Sequence, residues 1–301
     1  MTRKIIYIIN PIAGTKKKDV IEKYIHQQTT AKNIPFEIIH ANSSGNYETL
    51  IQKINTENIT DVVAVGGDGT LNHILASLKH LPIQFGILPC GSGNSLAFAA
   101  KIPKKIPQAL QVIFDGHANH IDAFYINNQF SCALSGLGFD AVVANSFANK
   151  KRRGLFTYIH QSFLHFFKAD AYHFEIQLND FHFKVRAFLI SIANSNQFGN
   201  QVTIAPQASL SDGLLDIVII QKMNKFFLPF TILKQLRAKK KMTILAEQLQ
   251  KKNIIYFQTP TLKIRNIQLA PLHIDGEPCK TEQAFNILII KNCFKLIQPA
   301  T

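Results

Sequence analysis

Up to about residue 122, short apolar runs alternate with stretches whose apolar positions recur every three or four residues. Lys4-Ile-Ile-Tyr-Ile-Ile9 is the first run, and it predicts a buried strand that stops at Asn10-Pro11. From there to about Lys32, Val20, Ile21, Tyr24 and Ile25 share one helical face. Phe36–His40 predicts a second strand, Asn46 to about Asn55 a second helix, and Val62-Val63-Ala64-Val65 a third strand. Leu71, Ile74, Leu75 and Leu78 return to helical spacing, and Phe85 to Cys90 is again an apolar run. Strands and helices in strict alternation predict an α/β fold, a doubly wound parallel sheet.

Around Asn119–Asp122 the period changes from helical to two. Phe124–Asn127 and Gln129–Ser135 predict strands joined by a hairpin turn at Asn127-Asn128. His173–Leu178, Phe181–Ile192, Leu215–Gln221, Thr261–Asn266 and Phe285–Ile290 predict further strands. The pattern therefore divides the chain into an α/β domain, residues 1–123, and a mostly antiparallel β domain, residues 124–290, a sandwich or flattened barrel. No internal repeat or low-complexity linker separates them.

Two predicted strands run into glycine clusters, Gly66-Gly67-Asp68-Gly69-Thr70 and Gly91-Ser92-Gly93-Asn94. Glycines there let the chain turn tightly and bring its backbone close to a ligand. Thr70 is placed to cap the helix that follows, whose free N–H groups attract an anion, most often phosphate. A carboxylate such as Asp68 is repelled by bare phosphate unless a cation lies between them, and Mg²⁺ is the usual one. The second cluster suits a neighbouring strand end lining the same crevice. A nucleotide phosphate site is the expectation.

Composition narrows the classes. The 301 residues are 47% hydrophobic and 17% charged, with room for two modest domains. No apolar stretch reaches the roughly 18 residues of a spanning helix. The N-terminal apolar run is too short for a signal segment, and the four scattered cysteines show neither metal spacing nor a disulfide framework, so a cytoplasmic location is expected. A net charge of +14 favours polyanionic partners. No zinc-finger or RNA-binding signature accompanies it, so an anionic membrane surface, contacted peripherally, is expected and nucleic acid is not.

Gly66-Gly67-Asp68-Gly69-Thr70-Leu71-Asn72 resembles the nucleotide-binding signature of the diacylglycerol kinase catalytic domain, shared with sphingosine and ceramide kinases and, in shorter form, with NAD kinases. Four further motifs resemble that family in the same order. Asn10-Pro11-x-x-Gly14 resembles a turn that touches the nucleotide, and Gly136-Leu-Gly138-Phe139-Asp140 resembles a turn at a helix entry. Ala205-Pro206…Asp212-Gly213-Leu214-Leu215-Asp216 resembles a motif that holds a structural Mg²⁺ in bacterial members. The implied ligands are Asp212 with the backbone oxygens of Ser209 and Leu214. Asp275-Gly276-Glu277 resembles the catalytic turn.

The resemblance implies an NAD kinase/diacylglycerol kinase-like first domain, to which residues 291–301 return, and a β-sandwich lipid-substrate domain. It implies ATP held by Asn10, Pro11, Gly14, Gly66, Gly67, Asp68, Gly69, Thr70, Asn72, Gly91, Ser92 and Asn94. Asp275 or Glu277 would be the base and Asp68 part of the Mg²⁺ network, with the lipid alcohol meeting ATP between the domains. Diacylglycerol is the default substrate, and a sphingoid base or ceramide the alternative. Gly91-Ser92-Gly93-Asn94-Ser95 is closer to the Gly-Ser-Gly-Asn-Ala of sphingosine and ceramide kinases than to Gly-Thr-x-Asn-Asp. Two other positions depart from the pattern: Ala41, where a threonine contacts ATP, with Asn42 or Ser43 as substitutes, and His73, where a glutamate is usual. They support a rival reading, a catalytically impaired nucleotide- and membrane-binding homologue. A homodimer is left open. Lys150–Arg153 and Arg237 with Lys239–Lys241 are the expected membrane contacts.

Overall fold

A strand with no polar position must be covered on both faces, and β1 (Ile5–Ile9) is buried at all five positions. Each isoleucine there contributes about 1.5–3 kcal/mol by leaving water. In the computed structural model, which describes residues 3–11, 18–42, 47–148, 170–178, 181–197, 205–222 and 253–300, β1 lies between β2 (Phe36–His40) and β3 (Asp61–Gly66). β4 (Gln84–Pro89) extends the sheet beyond β3, and all these pairs are parallel. The crossovers are α1 (Lys18–Ala31), α2 (Glu48–Thr56) and α3 (Asp68–Leu78), followed by α4 (Ser95–Ala99) and α5 (Ile106–Asp115). Gly86 lets α5 sit directly on β4, since a Cβ there would come within 2.4 Å of Ile113 Cδ1.

Arg3 ties the N-terminal end of these strands to α5. Its guanidinium donates to both carboxylate oxygens of Asp61, at 2.9 and 3.1 Å, and to the carbonyls of Ile113 and Phe114 in the last turn of α5. The sheet is completed by the end of β15 (Ala284–Gln298), which pairs in parallel with β4. Unit 1 is thus Met1–Asp122 with Lys291–Thr301, and unit 2 is Ala123–Ile290.

Unit 2 is an antiparallel β-sandwich. It holds the end of β5 (His117–Ile126), β6 (Gln129–Ser131), β7 (Leu134–Gly138), α6 (Phe139–Ala148), β8 (Tyr172–Leu178) and β9 (Phe181–Ala193). β10 (Leu215–Gln221), β11 (Ile254–Thr259), β12 (Thr261–Asn266), β13 (Leu272–Ile274), β14 (Glu277–Cys279) and the first half of β15 complete it. The first half of β9 pairs with β8; its second half pairs with β7 and β10. The main core gathers Phe174, Phe183, Ile217, Phe257, Ile264 and Phe285, and a second cluster around Leu189 and Val218 covers the other face of β9 and β10.

Several boundaries differ from the sequence pattern. α2 starts at Glu48 rather than Asn46, and β5 starts at His117, upstream of its apolar part. The expected strand Gln129–Ser135 splits at Cys132-Ala133, because the N–H groups of residues 132–134 turn onto the Asp275 carboxylate. β11 lies just after a lysine-rich stretch that hid its period. None of the four cysteines is in a disulfide. Among the described residues no helix is long and apolar enough to cross a membrane. Gly14, Ser43 and the basic clusters at 150–153 and 237–241 lie outside the described residues.

Candidate active site

β3 and β4 end side by side, Gly66 opposite Pro89, and both open into the glycine turns. The Cys90 N–H donates to the Gly66 carbonyl at 2.8 Å, which sets the second turn against the first. There the backbones touch: a Cβ on Gly91 would fall 2.5 Å from Gly67 Cα, and one on Gly66 2.7 Å from Thr70 Cβ. Real Cβ contacts do not come so close, so glycine is required by packing as well as by any ligand.

The helix after β3 starts earlier than expected. Gly67 is its N-cap and no side chain caps it, so Thr70 is not the cap but a residue of the first turn. Its Oγ1 accepts from Asn10 Nδ2 at 2.7 Å, tying the end of β1 to α3. A helix start without a side-chain cap suits an anion. Asn94, in the left-handed conformation at φ +55, closes the second turn. Its Oδ1 accepts from Gly91 N–H at 2.9 Å and its Nδ2 donates to Gly91 O at 2.8 Å. Asp68 bridges the two turns: Oδ1 accepts the Ser95 N–H at 2.7 Å, and a Cβ on Gly93 would meet Oδ2 at 2.6 Å. Ala64, Leu71, Ile87 and Ala97 wall the small pocket behind.

The structure therefore brings Asn10, Gly66, Gly67, Asp68, Thr70, Gly91 and Asn94 together. Gly69 is in the same helical turn, Ser92 lies half-buried in the second turn, and Asn72 is half-buried farther along α3. Pro11 follows Asn10 and is exposed, as is His73. Sequence reasoning missed Lys18. Its Nζ is buried with no hydrogen-bond partner at the start of α1. A buried ammonium without a partner is costly, so an anion is the natural complement.

In unit 2, Ile274 and Glu277 pair across a two-residue turn. Asp275 and Gly276 both have positive φ, +47 and +85, as a type I′ hairpin turn demands. The two carboxylates differ sharply. Asp275 is buried, and its oxygens accept the N–H groups of Cys132, Ala133 and Leu134 at 2.9–3.0 Å and the Ser131 hydroxyl at 2.8 Å. Successive N–H groups converging on one anion form a nest. Glu277, at the start of β14, is exposed. Sequence reasoning also missed the role of His273. Its Nδ1 accepts from Gly276 N–H at 3.2 Å, which puts the proton on Nε2, 3.2 Å from Asp140 Oδ2. Both side chains are buried, and Gly136 is needed beneath them, since a Cβ there would collide with the Asp140 carboxylate at 2.0 Å.

The third motif forms a turn before β10. Asp212 is exposed and its Oδ1 accepts the Leu214 N–H at 3.0 Å, while Ser209 Oγ accepts the Ser211 N–H at 3.4 Å. Asp212 is the single carboxylate of the implied Mg²⁺ set, and among the described residues no three His, Cys, Asp or Glu side chains gather around a metal position. Nearby Asp216 is fully buried, its Oδ1 accepting from Tyr256 and Gln258 while Oδ2 has no partner. Burial pushes its carboxyl up to about 6, against the pull of those two hydrogen bonds.

Comparison with known proteins places these features. Residues 4–126 match the family model of the diacylglycerol kinase catalytic domain, and residues 133–289 that of the YegS C-terminal NAD kinase beta sandwich-like domain. A protein of Chromohalobacter salexigens named "Probable lipid kinase YegS-like" is 28% identical over 238 residues, covering 76% of this chain and 73% of that protein. One of the same name from Serratia proteamaculans is 29% identical over 262 residues, covering 85% and 82%. The crystal structure of a diacylglycerol kinase from Bacillus anthracis str. Sterne shares the fold, with a TM-score of 0.73 and 18% identity over 98% of this chain and 97% of that one. The chain belongs to the diacylglycerol kinase catalytic-domain family, with the YegS-type β-sandwich, and so to a family of lipid kinases.

Proposed function

We propose that this protein transfers the γ-phosphoryl group of ATP, bound with Mg²⁺, to the hydroxyl of a lipid alcohol, with diacylglycerol the default acceptor. The observation that carries this reading is the backbone-to-backbone packing of the two glycine turns beside an uncapped helix start. Three features fit a nucleotide phosphate there: the two turns packed backbone to backbone at Gly67 and Gly91, the start of α3 without a side-chain cap, and the unpartnered Lys18 ammonium on the helix that follows β1. An oxygen of Asp68 suits a hard divalent cation. When bound, ATP supplies the phosphoryl group, and Mg²⁺ offsets charge on its phosphates.

The chain's own residues then divide the work. Asn10 and Thr70 fix the ends of β1 and α3, while Asn94 and Asp68 hold the second turn against the first. Glu277, exposed on a rigid hairpin, takes the proton of the acceptor hydroxyl. Asp275 holds that hairpin in place through its nest and stays a positioning residue.

Purified protein with labelled ATP and a panel of diacylglycerol, sphingoid base, ceramide and NAD tests the reading. Mg²⁺-dependent labelling of a lipid is expected, with Glu277→Gln slowing it about 10²–10⁴-fold at unchanged melting temperature. ATP binding with no product from any lipid would leave a nucleotide-binding homologue without catalysis, and labelled NAD would move the protein to the NAD kinase branch.

A further inference from the structure

Burial along β9 changes halfway. Ala187–Ala193 is buried throughout, whereas in the first half Phe183 and Val185 are buried and His182, Lys184 and Arg186 are exposed. β8 and β12 alternate in the same way. Residues directly opposite one another share a face, and the registers align these exposed positions. Lys263 faces Gln177, which faces His182; Arg265 faces Glu175, which faces Lys184; His173 faces Arg186.

This outer face carries four cations, and Glu175 is the one carboxylate among its described residues. The Glu175 side chain is only 16% exposed and bridges Lys184 at 3.1 Å and Arg265 at 3.2 Å. Those two partners remain 73% and 71% exposed, so the positive groups form the outer layer. Aliphatic side chains stand at two corners. Leu288 of β15, opposite Thr261, is 52% exposed, and Ile267, whose N–H donates to the His173 carbonyl, is 50% exposed. Beside Ile267, Leu269 is 49% exposed at φ +53, a conformation that bulky residues avoid. The buried Asn266 holds it there, exchanging hydrogen bonds with both the N–H and the carbonyl of Ala270.

We propose that this outer face of β9, β8, β12 and β15 is the surface on which the protein docks to an anionic phospholipid bilayer. The cations face headgroup phosphates, and Ile267, Leu269 and Leu288 enter the interface. The assignment rests on the lipid-kinase reading, which requires a bilayer partner. Exposed positions along a strand are about 7 Å apart and neighbouring strands about 4.8 Å. Both spacings lie within the Debye length of about 8 Å, so the four cations act together on one charged surface. Exposed aliphatics at the corners gain from an acyl boundary and gain nothing from a nucleic-acid backbone.

The test is sedimentation of the full chain with phosphatidylcholine vesicles, with and without phosphatidylglycerol. Each cation at an anionic surface is worth roughly a five-fold change in binding. Replacing all four, Lys184→Gln, Arg186→Gln, Lys263→Gln and Arg265→Gln, should weaken binding to phosphatidylglycerol vesicles at least about 20-fold at low salt. Glu175→Gln should strengthen it, and Ile267→Ser with Leu288→Ser should weaken binding that persists at high salt. Unchanged binding by the four-fold variant, with its melting temperature intact, overturns the proposal. So does wild-type binding to duplex DNA that the same variant loses while vesicles are ignored. Labelling of a short-chain lipid alcohol in detergent tests the kinase reading separately: a protein inactive there that still docks through these residues loses the activity and keeps the face.

Discussion

Asp275 and Glu277 are two residues apart, yet substitution should separate them cleanly. Asp275→Asn places an amide N–H₂ against a nest of N–H donors, so we expect a loss of about 2–3 kcal/mol in urea unfolding. Glu277→Gln should leave the unfolding curve unchanged and appear only in the rate. His273 offers a third test at this scale. Its Nδ1 accepts from the Gly276 N–H while its Nε2 faces Asp140, so the ring ties the turn to α6. Glutamine keeps one acceptor and one donor. His273→Gln should hold near-wild-type kcat, whereas His273→Phe, which keeps neither, should lose rate. Equal rates in the two variants would remove His273 from the positioning of the turn. The motif letters named both carboxylates, but not their different roles. The N–H groups that bury Asp275 come from more than 140 positions away, at residues 132–134. No local pattern encodes that distance.

Elements were more legible than residues, because hydrophobic period is local. β1, β3 and β4 follow from their apolar runs, and the glycine clusters mark where they end. The start of α3 was misplaced by three residues, since Thr70 looks like a cap but is drawn to Asn10 on another strand. The role of the glycines was only half visible. A turn needing φ > 0 and a turn needing close approach read alike in sequence. Gly91→Ala and Gly276→Ala distinguish them. At Gly91 the new Cβ would sit 2.5 Å from Gly67 Cα, a backbone atom that cannot step aside. We expect that overpacking to cost about 1–3 kcal/mol and to abolish ATP binding as read by calorimetry. At Gly276 a Cβ meets nothing within 4 Å, and only the left-handed φ resists it. There the cost should be about 1 kcal/mol, with ATP affinity intact. Equal effects at the two sites would mean that the turns do not pack backbone to backbone.

At the scale of the whole molecule, the two-part division follows from the switch of period near Asp122, and the return of the chain to unit 1 lies in the second half of β15. What composition alone conveyed was charge, and its consequence is global. With 33 Lys and Arg against 19 Asp and Glu, the protein carries +14. Such an excess pushes the compact state apart, because folding brings like charges closer than they are in the open chain. The ion pairs oppose this: Arg3 with Asp61, Lys4 and Lys53 with Glu57, Lys53 with Glu37, and Lys184 and Arg265 with Glu175. Raising salt from about 0.01 M to about 0.1 M shortens the Debye length from about 30 Å to about 10 Å. That screens distant repulsion strongly, but pairs near 3 Å much less. The melting temperature should therefore rise by a few degrees over this range. Thermal melts across this range of salt decide the matter. A melting temperature that falls with salt would show that the close pairs, and not the net charge, govern how this molecule responds to ions.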